Sequence, residues 1–226
     1  MPPRRHDPSD ASDPSAWQAR GMGVYEDQLL PRVIDVMLGN AAIGKMRRRA
    51  LEGVSGTVLE IGFGSGTNLD HYPPEVERVL AVDPALVGRK LAAKRLRRTR
   101  IEVEFVGLDG QSVPLPDDSV DHAVSTFTLC TVPDEAAALA EVRRIVRPGG
   151  RLFFLEHGLA DDHRTAHRQH RLNPIQRRVA GGCNLNRPHD RLIADAGLHL
   201  ERIDRFQIAG PRTMSQMYAG QAIVPA

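Results

Sequence analysis

The chain alternates between short apolar runs and longer stretches in which apolar residues recur at helical spacing. The short runs predict seven strands, at 57–61, 78–83, 102–106, 120–127, 151–156, 198–208 and 216–224. The longer stretches predict helices at 41–52, 86–98, 135–146 and 191–196, preceded by a helical pattern that begins near Val24. Alternation of this kind predicts parallel βαβ units, and therefore an α/β fold.

Two segments depart from this rhythm. Residues 1–20 are rich in Pro, Ser, Asp and Arg, so they bury too little apolar surface to offset the entropy of ordering, and we expect a disordered tail. Residues 158–190 are crowded with Arg, His, Asn and Gly. Because no linker or repeat interrupts the remainder, we expect a single domain at 21–226. Within it, 24–52 would form a helical cap and 158–190 an insertion on the substrate side of the sheet.

Composition narrows the class of protein. Among the 226 residues, 41% are hydrophobic and 26% are charged, which is typical of a soluble globular domain. The net charge of +2 is too small to indicate nucleic acid or an anionic membrane as a partner. No apolar run approaches the roughly 18 residues of a membrane-spanning helix, and none follows Arg4 and Arg5 as it would in a signal peptide. We therefore expect a cytoplasmic protein without membrane insertion.

The potential metal ligands do not form a recognisable set. We expect neither Cys130 nor Cys183 to have a second thiol nearby, and therefore neither a disulfide framework nor a zinc site. If this segment is helical, His163, His167 and His170 share one face, but the arginines between them would repel a cation. The sequence therefore predicts no metal centre.

The most informative segment is the turn that follows the first predicted strand. Glycines stand at positions 62, 64 and 66, where they allow positive φ and leave backbone amides bare for a nucleotide-like ligand. A dinucleotide-binding turn would have its third glycine at position 67, where this chain has Thr67. The lysine of a phosphate-binding Walker A loop is also missing. The spacing therefore disfavours both of these ligand classes.

A carboxylate follows where the ribose of such a ligand would lie. Asp83 stands about twenty residues beyond Gly62, at the end of the second predicted strand. It can accept hydrogen bonds from both ribose hydroxyls, which are charge-assisted and therefore strong. This acid suits S-adenosylmethionine (SAM) and NAD equally, so alone it does not separate them.

The run Glu60-x-Gly62-x-Gly64-x-Gly66 resembles the first motif of class I SAM-dependent methyltransferases. A Pro-Leu-Pro-x-x-Ser-x-Asp segment at 114–121 and an Arg-Pro-Gly-Gly turn at 147–150 follow in the order typical of that family. Asn68-Leu69, Glu156-His157 and the segment 182–187 resemble a branch that includes animal thiol S-methyltransferases and bacterial phospholipid or quinone methyltransferases. The resemblance implies a Rossmann-like, mostly parallel seven-stranded sheet with helices on both faces and an antiparallel strand near the C-terminus.

The resemblance also implies SAM as the cofactor and a set of residues that bind it. They are Glu60, Gly62, Phe63, Gly64, Gly66, Asn68, Asp83, Pro84, Asp109, Gly110 and Thr126. Asp109 would accept from the adenine amino group, Gly110 would admit the ring edge, and Thr126 would contact the methionine part. His157, just past the fifth predicted strand, is the candidate general base.

The predicted function is SAM-dependent transfer of a methyl group to a small molecule, such as a thiol, a phenol or quinone, or a lipid-like acceptor. Segments 24–52 and 158–190 would close over that acceptor, and the sequence does not indicate an oligomeric state. Two alternatives stay open at this point. One is a nicotinamide-dependent oxidoreductase, and the other is a protein that binds SAM without turnover.

Overall fold

The computed structural model describes Asp35 and residues 38–226, and its regular elements form one sheet with helices packed against it. The strands are β1 Gly56–Ile61, β2 Val76–Val82, β3 Glu102–Gly107, β4 Val120–Thr126, β5 Val146–His157, β6 His199–Gln207 and β7 Gln216–Ile223. The helices are α1 Ala41–Ala50, α2 Leu86–Leu96, α3 Glu135–Ile145, α4 His163–Val179 and α5 His189–Asp195, with a short 3₁₀ helix at Thr67–Asp70. The expected tail at 1–20 and the helical pattern near Val24 lie outside the described residues.

The sheet has the strand order β3-β2-β1-β4-β5-β7-β6. Strands β1 to β5 pair in parallel, and β7 runs antiparallel to both of its neighbours. This confirms the predicted seven-stranded, mostly parallel sheet with an antiparallel strand near the C-terminus. The direction of winding reverses between β1 and β4, and open α/β sheets bind ligands beyond the carboxyl ends of strands at such a reversal.

Alternating side chains of the parallel strands explain the helices on both faces. Leu59 belongs to a core cluster that includes residues of α3 and α5. Its neighbour Val58 points the other way, into a cluster with Ala92 of α2. Both faces of the sheet are apolar and are covered by helices. Polar groups can therefore gather at the edge where the carboxyl ends of the parallel strands meet, because no helix covers it.

The block 158–190 contains an element that its sequence did not predict. Helix α4 has 17 residues, and its N-cap Asp162 accepts hydrogen bonds from the backbone amides of Arg164 and Thr165. Strand β5 also begins five residues earlier than predicted. The early part is held because the amide of Gly149 donates to Val224 beyond β7. No helix among the described residues is long and apolar enough to cross a membrane.

Candidate functional site

The glycine turn after β1 is shaped by two requirements, backbone conformation and close approach. Gly62 has φ 78° and Gly64 has φ 54°, a region that side-chain-bearing residues rarely adopt. A Cβ atom at Gly62 would lie 1.9 Å from Oγ1 of Thr128, whereas one at Gly64 would meet no atom within 4 Å. Gly62 therefore lets the turn contact the loop after β4, and Gly64 is needed for its conformation alone.

Asp83 connects the end of β2 to this turn. Its Oδ2 accepts a hydrogen bond from the amide of Gly64 at 2.6 Å, and its Oδ1 accepts one from the amide of Ala85 at 2.7 Å. Burial raises the pKa of Asp83, although these two amide donors act in the opposite direction. Each carboxylate oxygen keeps a further lone pair, so the side chain can still accept from a ligand.

A buried polar network lies beneath the turn. The Glu60 carboxylate accepts from Nδ2 of Asn68 and from the hydroxyl of Tyr72, both at 2.8 Å. Burial raises the pKa of Glu60 to about 7. The Nδ2 group of Asn68 also donates to Oγ1 of Thr126 at 3.0 Å. Glu60 therefore holds Asn68 and Tyr72 in place from inside the protein.

Arg47 of α1 brings a positive charge into the same network. Its Nη1 donates to Oδ1 of Asn68 at 2.8 Å and to Oγ1 of Thr126 at 2.6 Å. The side chain is buried, and burial lowers its pKa to about 10. Its Nε has no hydrogen-bond partner among the described residues. The guanidinium also lies over the Phe127 ring, with Cζ 5.1 Å from the centroid.

The loop after β4 is wound around a buried carboxylate. Glu156 of β5 accepts from the hydroxyl of Ser125 and from the backbone amides of Thr128, Leu129 and Cys130. Phe127 has φ 57°, an uncommon conformation for a residue other than glycine. On the outer side, Arg187 donates to the carbonyl groups of Leu129, Val132 and Pro133. The loop is thus fixed from two sides.

Several residues that were predicted to bind the cofactor lie at the exposed rim of the site or below the glycine turn. Asp109 is exposed, and its Oδ1 accepts from both nitrogens of Gln111. Pro84 is exposed as well. Gly110 is buried, and a Cβ atom there would come within 2.7 Å of the Ile61 side chain. Phe63 is buried edge-to-face against Phe105, so it supports the turn from below.

Of the predicted set, the structure brings Glu60, Asn68, Asp83 and Thr126 together around the glycine turn. Arg47 was not predicted from the sequence. Its side chain is the buried one in a run of three consecutive arginines, and nothing in that run marks it.

His157 lies at the carboxyl end of β5, beside the loop after β4. Its ring contacts Phe127 edge-to-face, with the centroids 5.4 Å apart. Its backbone carbonyl accepts from Nε2 of His189 at 2.6 Å, and Nδ1 of His189 lies 2.6 Å from Oε1 of Glu135. Burial disfavours a charged His189, but the Glu135 carboxylate, the Glu156 charge and the His157 carbonyl together outweigh burial and raise the pKa of His189. His157 is therefore held by a buried pair.

The two cysteines contact each other, which corrects the expectation that neither has a second thiol nearby. Cys130 and Cys183 are 53 residues apart in the sequence, yet their Sγ atoms are 3.8 Å apart. Their segments meet because α4 returns the chain to the loop after β4. The hydrogen bond between the two thiols, followed by those that involve His157 and Gln176, lowers the pKa of Cys183.

Comparison with known proteins finds methyltransferases among the relatives of this chain. Residues 59–154 match the family described as a methyltransferase domain. Human thiol S-methyltransferase TMT1A is 34% identical over 155 residues, which are 67% of this chain and 63% of that protein. Demethylmenaquinone methyltransferase of Renibacterium salmoninarum is 29% identical over 136 residues, or 58% of this chain and 56% of that protein. The chain thus spans less than two thirds of the length of these relatives.

Solved structures show the same fold. A SAM-dependent methyltransferase from Methanosarcina mazei superposes with a TM-score of 0.60 at 20% identity, covering 78% of this chain and 96% of that one. Geranyl diphosphate methyltransferase in complex with SAM gives 0.62 at 16% identity, covering 93% and 94%. These matches do not favour the nicotinamide-dependent alternative. Residues 59–154 therefore form a methyltransferase domain, and the sheet has the fold of the solved SAM-dependent methyltransferases.

Proposed function

We propose that this chain transfers the methyl group of SAM to a small-molecule acceptor. The observation that carries the proposal is the convergence of three complementary groups at the reversal between β1 and β4. They are the glycine turn, the Asp83 carboxylate and the buried Arg47 guanidinium. SAM carries a ribose in its adenosine part and a carboxylate in its methionine part, with the sulfonium between them. A site with these groups can therefore bind both ends of the cofactor.

Each end of the cofactor has a candidate partner. Asp83 would accept from the ribose hydroxyls through the lone pairs that the backbone amides leave free. Arg47 would bind the carboxylate of the methionine part, because its Nε lacks a partner among the described residues and a buried orphan donor is costly. Thr126 and Asn68 fix the orientation of that guanidinium. At the rim, Asp109 and Gly110 would meet the adenine ring.

The remaining predicted residues would take supporting roles in binding. Gly62, Gly64 and Gly66 would give the cofactor access to the backbone, with Phe63 packed beneath them. Glu60 would act through Asn68, and Pro84 would flank the ribose site.

The reaction asks mainly for positioning. SAM carries the methyl group on a sulfonium, and the departing group is a neutral thioether that needs no proton. Rate acceleration therefore comes from alignment of the acceptor and from exclusion of water. The acceptor must lose a proton, which is easier for a thiol, with a pKa near 8.5, than for a phenol near 10. His157, at the edge of the same site, would accept that proton.

A thiol is our first choice of acceptor, since the human relative is named a thiol S-methyltransferase. Phenols or quinones and lipid-like molecules follow. We also propose that the protein works in the cytoplasm, without nucleic acid or a membrane as partner. Two free thiols in a buried pair suit such a reducing setting.

Two measurements test this proposal. Calorimetry should show binding of SAM and S-adenosylhomocysteine, and no binding at millimolar ligand would contradict it. Mass spectrometry should then detect S-adenosylhomocysteine and a methylated product with at least one member of a panel of thiols, phenols and phospholipids. Binding without turnover across the panel would instead support the SAM-binding alternative, and binding of NAD alone would support the oxidoreductase.

A further inference from the structure

We propose that Cys130, His157 and Cys183 form a binding site for one thiophilic divalent metal ion, with Zn²⁺ as the type case, and leave its fourth coordination position to an external ligand. The site lies between the loop after β4, the end of β5 and the turn after α4. It is separate from the residues proposed to bind the cofactor. Nothing in its chemistry depends on methyl transfer.

The geometry of the ligand atoms carries the proposal. Zinc binds thiolate sulfur at about 2.3 Å, so two sulfurs of a tetrahedral site are about 3.8 Å apart. The Sγ atoms of Cys130 and Cys183 are 3.8 Å apart in the protein. A ligating atom of His157 and both sulfurs all lie within 4.8 Å of one another. Because a tetrahedral nitrogen–sulfur edge is about 3.6 Å, the ring has to close by about 1 Å at most.

The two sulfurs are held together by contacts that do not involve them. Asn184, next to Cys183, donates its backbone amide to the carbonyl of Cys130 at 2.7 Å and its Nδ2 to the same carbonyl at 3.0 Å. The Cys130 amide is in turn bound by Glu156. The ligands are therefore placed by the fold before any ion arrives, which lowers the cost of ordering them.

The surrounding charges permit a cation. Two thiolates neutralise a divalent ion, and the buried Glu156 carboxylate lies beside Cys130. Two positively charged side chains next to the site, Arg187 and His189, are both compensated by Glu135: Nε of Arg187 lies 3.4 Å from its Oε2, and Nδ1 of His189 lies 2.6 Å from its Oε1. His157 is the half-exposed member of the set, so an ion can reach the site from its side.

A disulfide is the competing use of two adjacent thiols, and the distances favour it less. A disulfide bond is about 2.05 Å long, so the two sulfurs would have to approach by nearly 2 Å and an oxidant would be required. Metal binding needs no such movement of the sulfurs and requires only that two thiol protons leave. It also accounts for His157, which a disulfide would leave without a role.

The described residues supply three ligands, which is the number found at zinc sites that keep a position open for water or substrate. A thiol that filled this position would bind as a thiolate. A bound ion also takes the lone pair of the His157 ring nitrogen, so the proton-accepting role proposed above belongs to the metal-free protein.

Cobalt titration of the full-length protein tests the site without any assay of activity. Zn²⁺ has no visible spectrum, whereas Co²⁺ in the same position reports thiolate ligands by charge-transfer absorption and tetrahedral geometry by its d–d bands. We expect one equivalent of Co²⁺ to produce both signals in chelator-treated, reduced protein, and Zn²⁺ to displace it. The chain has two cysteines, so the charge-transfer band reports these two residues and no others. A small added thiol should shift the d–d bands by occupying the fourth position.

Variants of single residues test which side chains bind the ion. Cys130→Ser and Cys183→Ser should each weaken Co²⁺ binding by more than about 100-fold, since loss of an outer-shell partner alone costs about 10- to 100-fold. Cys183→His should keep the ion but halve the charge-transfer intensity, which separates loss of a ligand from loss of the fold. His167→Ala, on the exposed face of α4, is the matched control and should bind Co²⁺ as the parent does.

Three results would overturn the proposal. One is octahedral Co²⁺ without charge-transfer absorption, and another is unchanged affinity in Cys130→Ser. The third is a spectrum that no added thiol alters, which would show that the fourth position is already filled by the protein. Because SAM binding is not part of the measurement, failure of the metal site and failure of the proposed methyl transfer are distinguishable.

Discussion

At the scale of single residues, Glu60 shows how burial changes the ionisation of a side chain beneath the glycine turn. Its carboxylate is fully enclosed, and burial raises its pKa from 4.5 to about 7 despite hydrogen bonds from Tyr72 and Asn68. In the folded protein the group therefore binds its proton more tightly than in the unfolded chain. Its stabilising contribution is complete below the unfolded pKa and is lost as the pH rises through about 7.

We therefore predict that Glu60→Gln changes how stability depends on pH. Between pH 4.5 and 7 the free energy of unfolding of the parent, relative to the variant, should fall by about 3 kcal/mol, from 1.36 kcal/mol per pKa unit. Glutamine keeps both hydrogen bonds, since its oxygen can accept from Asn68 and its amide can donate to Tyr72. Urea denaturation without cofactor at pH 5, 6, 7 and 8 measures the difference. A difference that stays constant with pH would contradict the raised pKa.

Asp83 carries the second prediction at this scale. Asp83→Asn keeps the shape of the side chain but removes the charge that strengthens hydrogen bonds from ribose hydroxyls, and its NH2 group cannot accept from one of the two backbone amides that Asp83 binds. We expect the affinity for S-adenosylhomocysteine to fall about 10- to 100-fold, which corresponds to the 1.5–3 kcal/mol of a charged hydrogen bond. Calorimetry measures this loss. Asp109→Asn, at the exposed rim, is the comparison and should lose less.

The residues that could be predicted from sequence are those whose role depends on nearby backbone. The glycine spacing and the distance from Gly62 to Asp83 are local features of a strand, a turn and the next strand. Arg47 could not be predicted, because Arg48 and Arg49 have the same chemistry and only the packing of α1 decides which is buried. The sequence likewise could not show that Cys130 and Cys183 meet, since their contact depends on α4.

At the scale of elements, helix α4 was missed for a physical reason. Its buried positions are Thr165, Gln169 and Asn173, which share one face but are all polar. Gln169 donates to the carbonyls of Gly158 and Thr213, so this face packs by hydrogen bonds and carries no apolar stripe. Hydrophobic periodicity cannot detect such a helix. The strands and helices that do carry apolar residues were predicted, with errors mainly at their ends.

The contact between the glycine turn and the loop after β4 gives the third prediction. Gly62→Ala combines an unfavourable φ with a clash against Thr128, whereas Gly53→Ala at φ 89° has the unfavourable φ with no atom within 4 Å. We expect Gly53→Ala to cost about 1–2 kcal/mol of unfolding free energy and Gly62→Ala to cost more. Urea denaturation of both variants measures this. Equal losses of unfolding free energy would show that the loop after β4 moves away from the added Cβ atom without a loss of stability.

A double variant separates the two causes. Thr128→Ala removes the Oγ1 and Cγ2 atoms that lie 1.9 and 2.4 Å from the added Cβ, although its own Cβ at 2.6 Å remains. Gly62→Ala combined with Thr128→Ala should therefore lose less stability than the sum of the single changes. The same combination with Gly53→Ala should be additive, because Gly53 and Thr128 share no contact.

At the scale of the whole molecule, Arg47 ties the helix before the sheet to the first and fourth strands. It reaches from α1 to Asn68 after β1 and to Thr126 at the end of β4. Its charge lies close to those of Glu60 and Glu156, which offset part of the penalty of burying it. The parallel βαβ units of the sheet could be predicted from the alternation of elements. That a single cation joins these parts depends on how the finished layers pack, which no local pattern records.

This arrangement predicts that Arg47 distinguishes the two ends of the cofactor. Arg47→Met keeps an apolar stem of similar length but removes the guanidinium, so affinity for S-adenosylhomocysteine should fall about 10- to 100-fold. Affinity for methylthioadenosine, which has the adenosine end without the methionine carboxylate, should stay within about twofold of the parent. Asp83→Asn should weaken the binding of both ligands, since both carry the ribose.

Calorimetry of each variant with each ligand measures the four changes in affinity. If Arg47→Met weakens both ligands equally, the residue acts through the fold alone. If it weakens only S-adenosylhomocysteine, the first helix of the described chain supplies the cation that holds the methionine end.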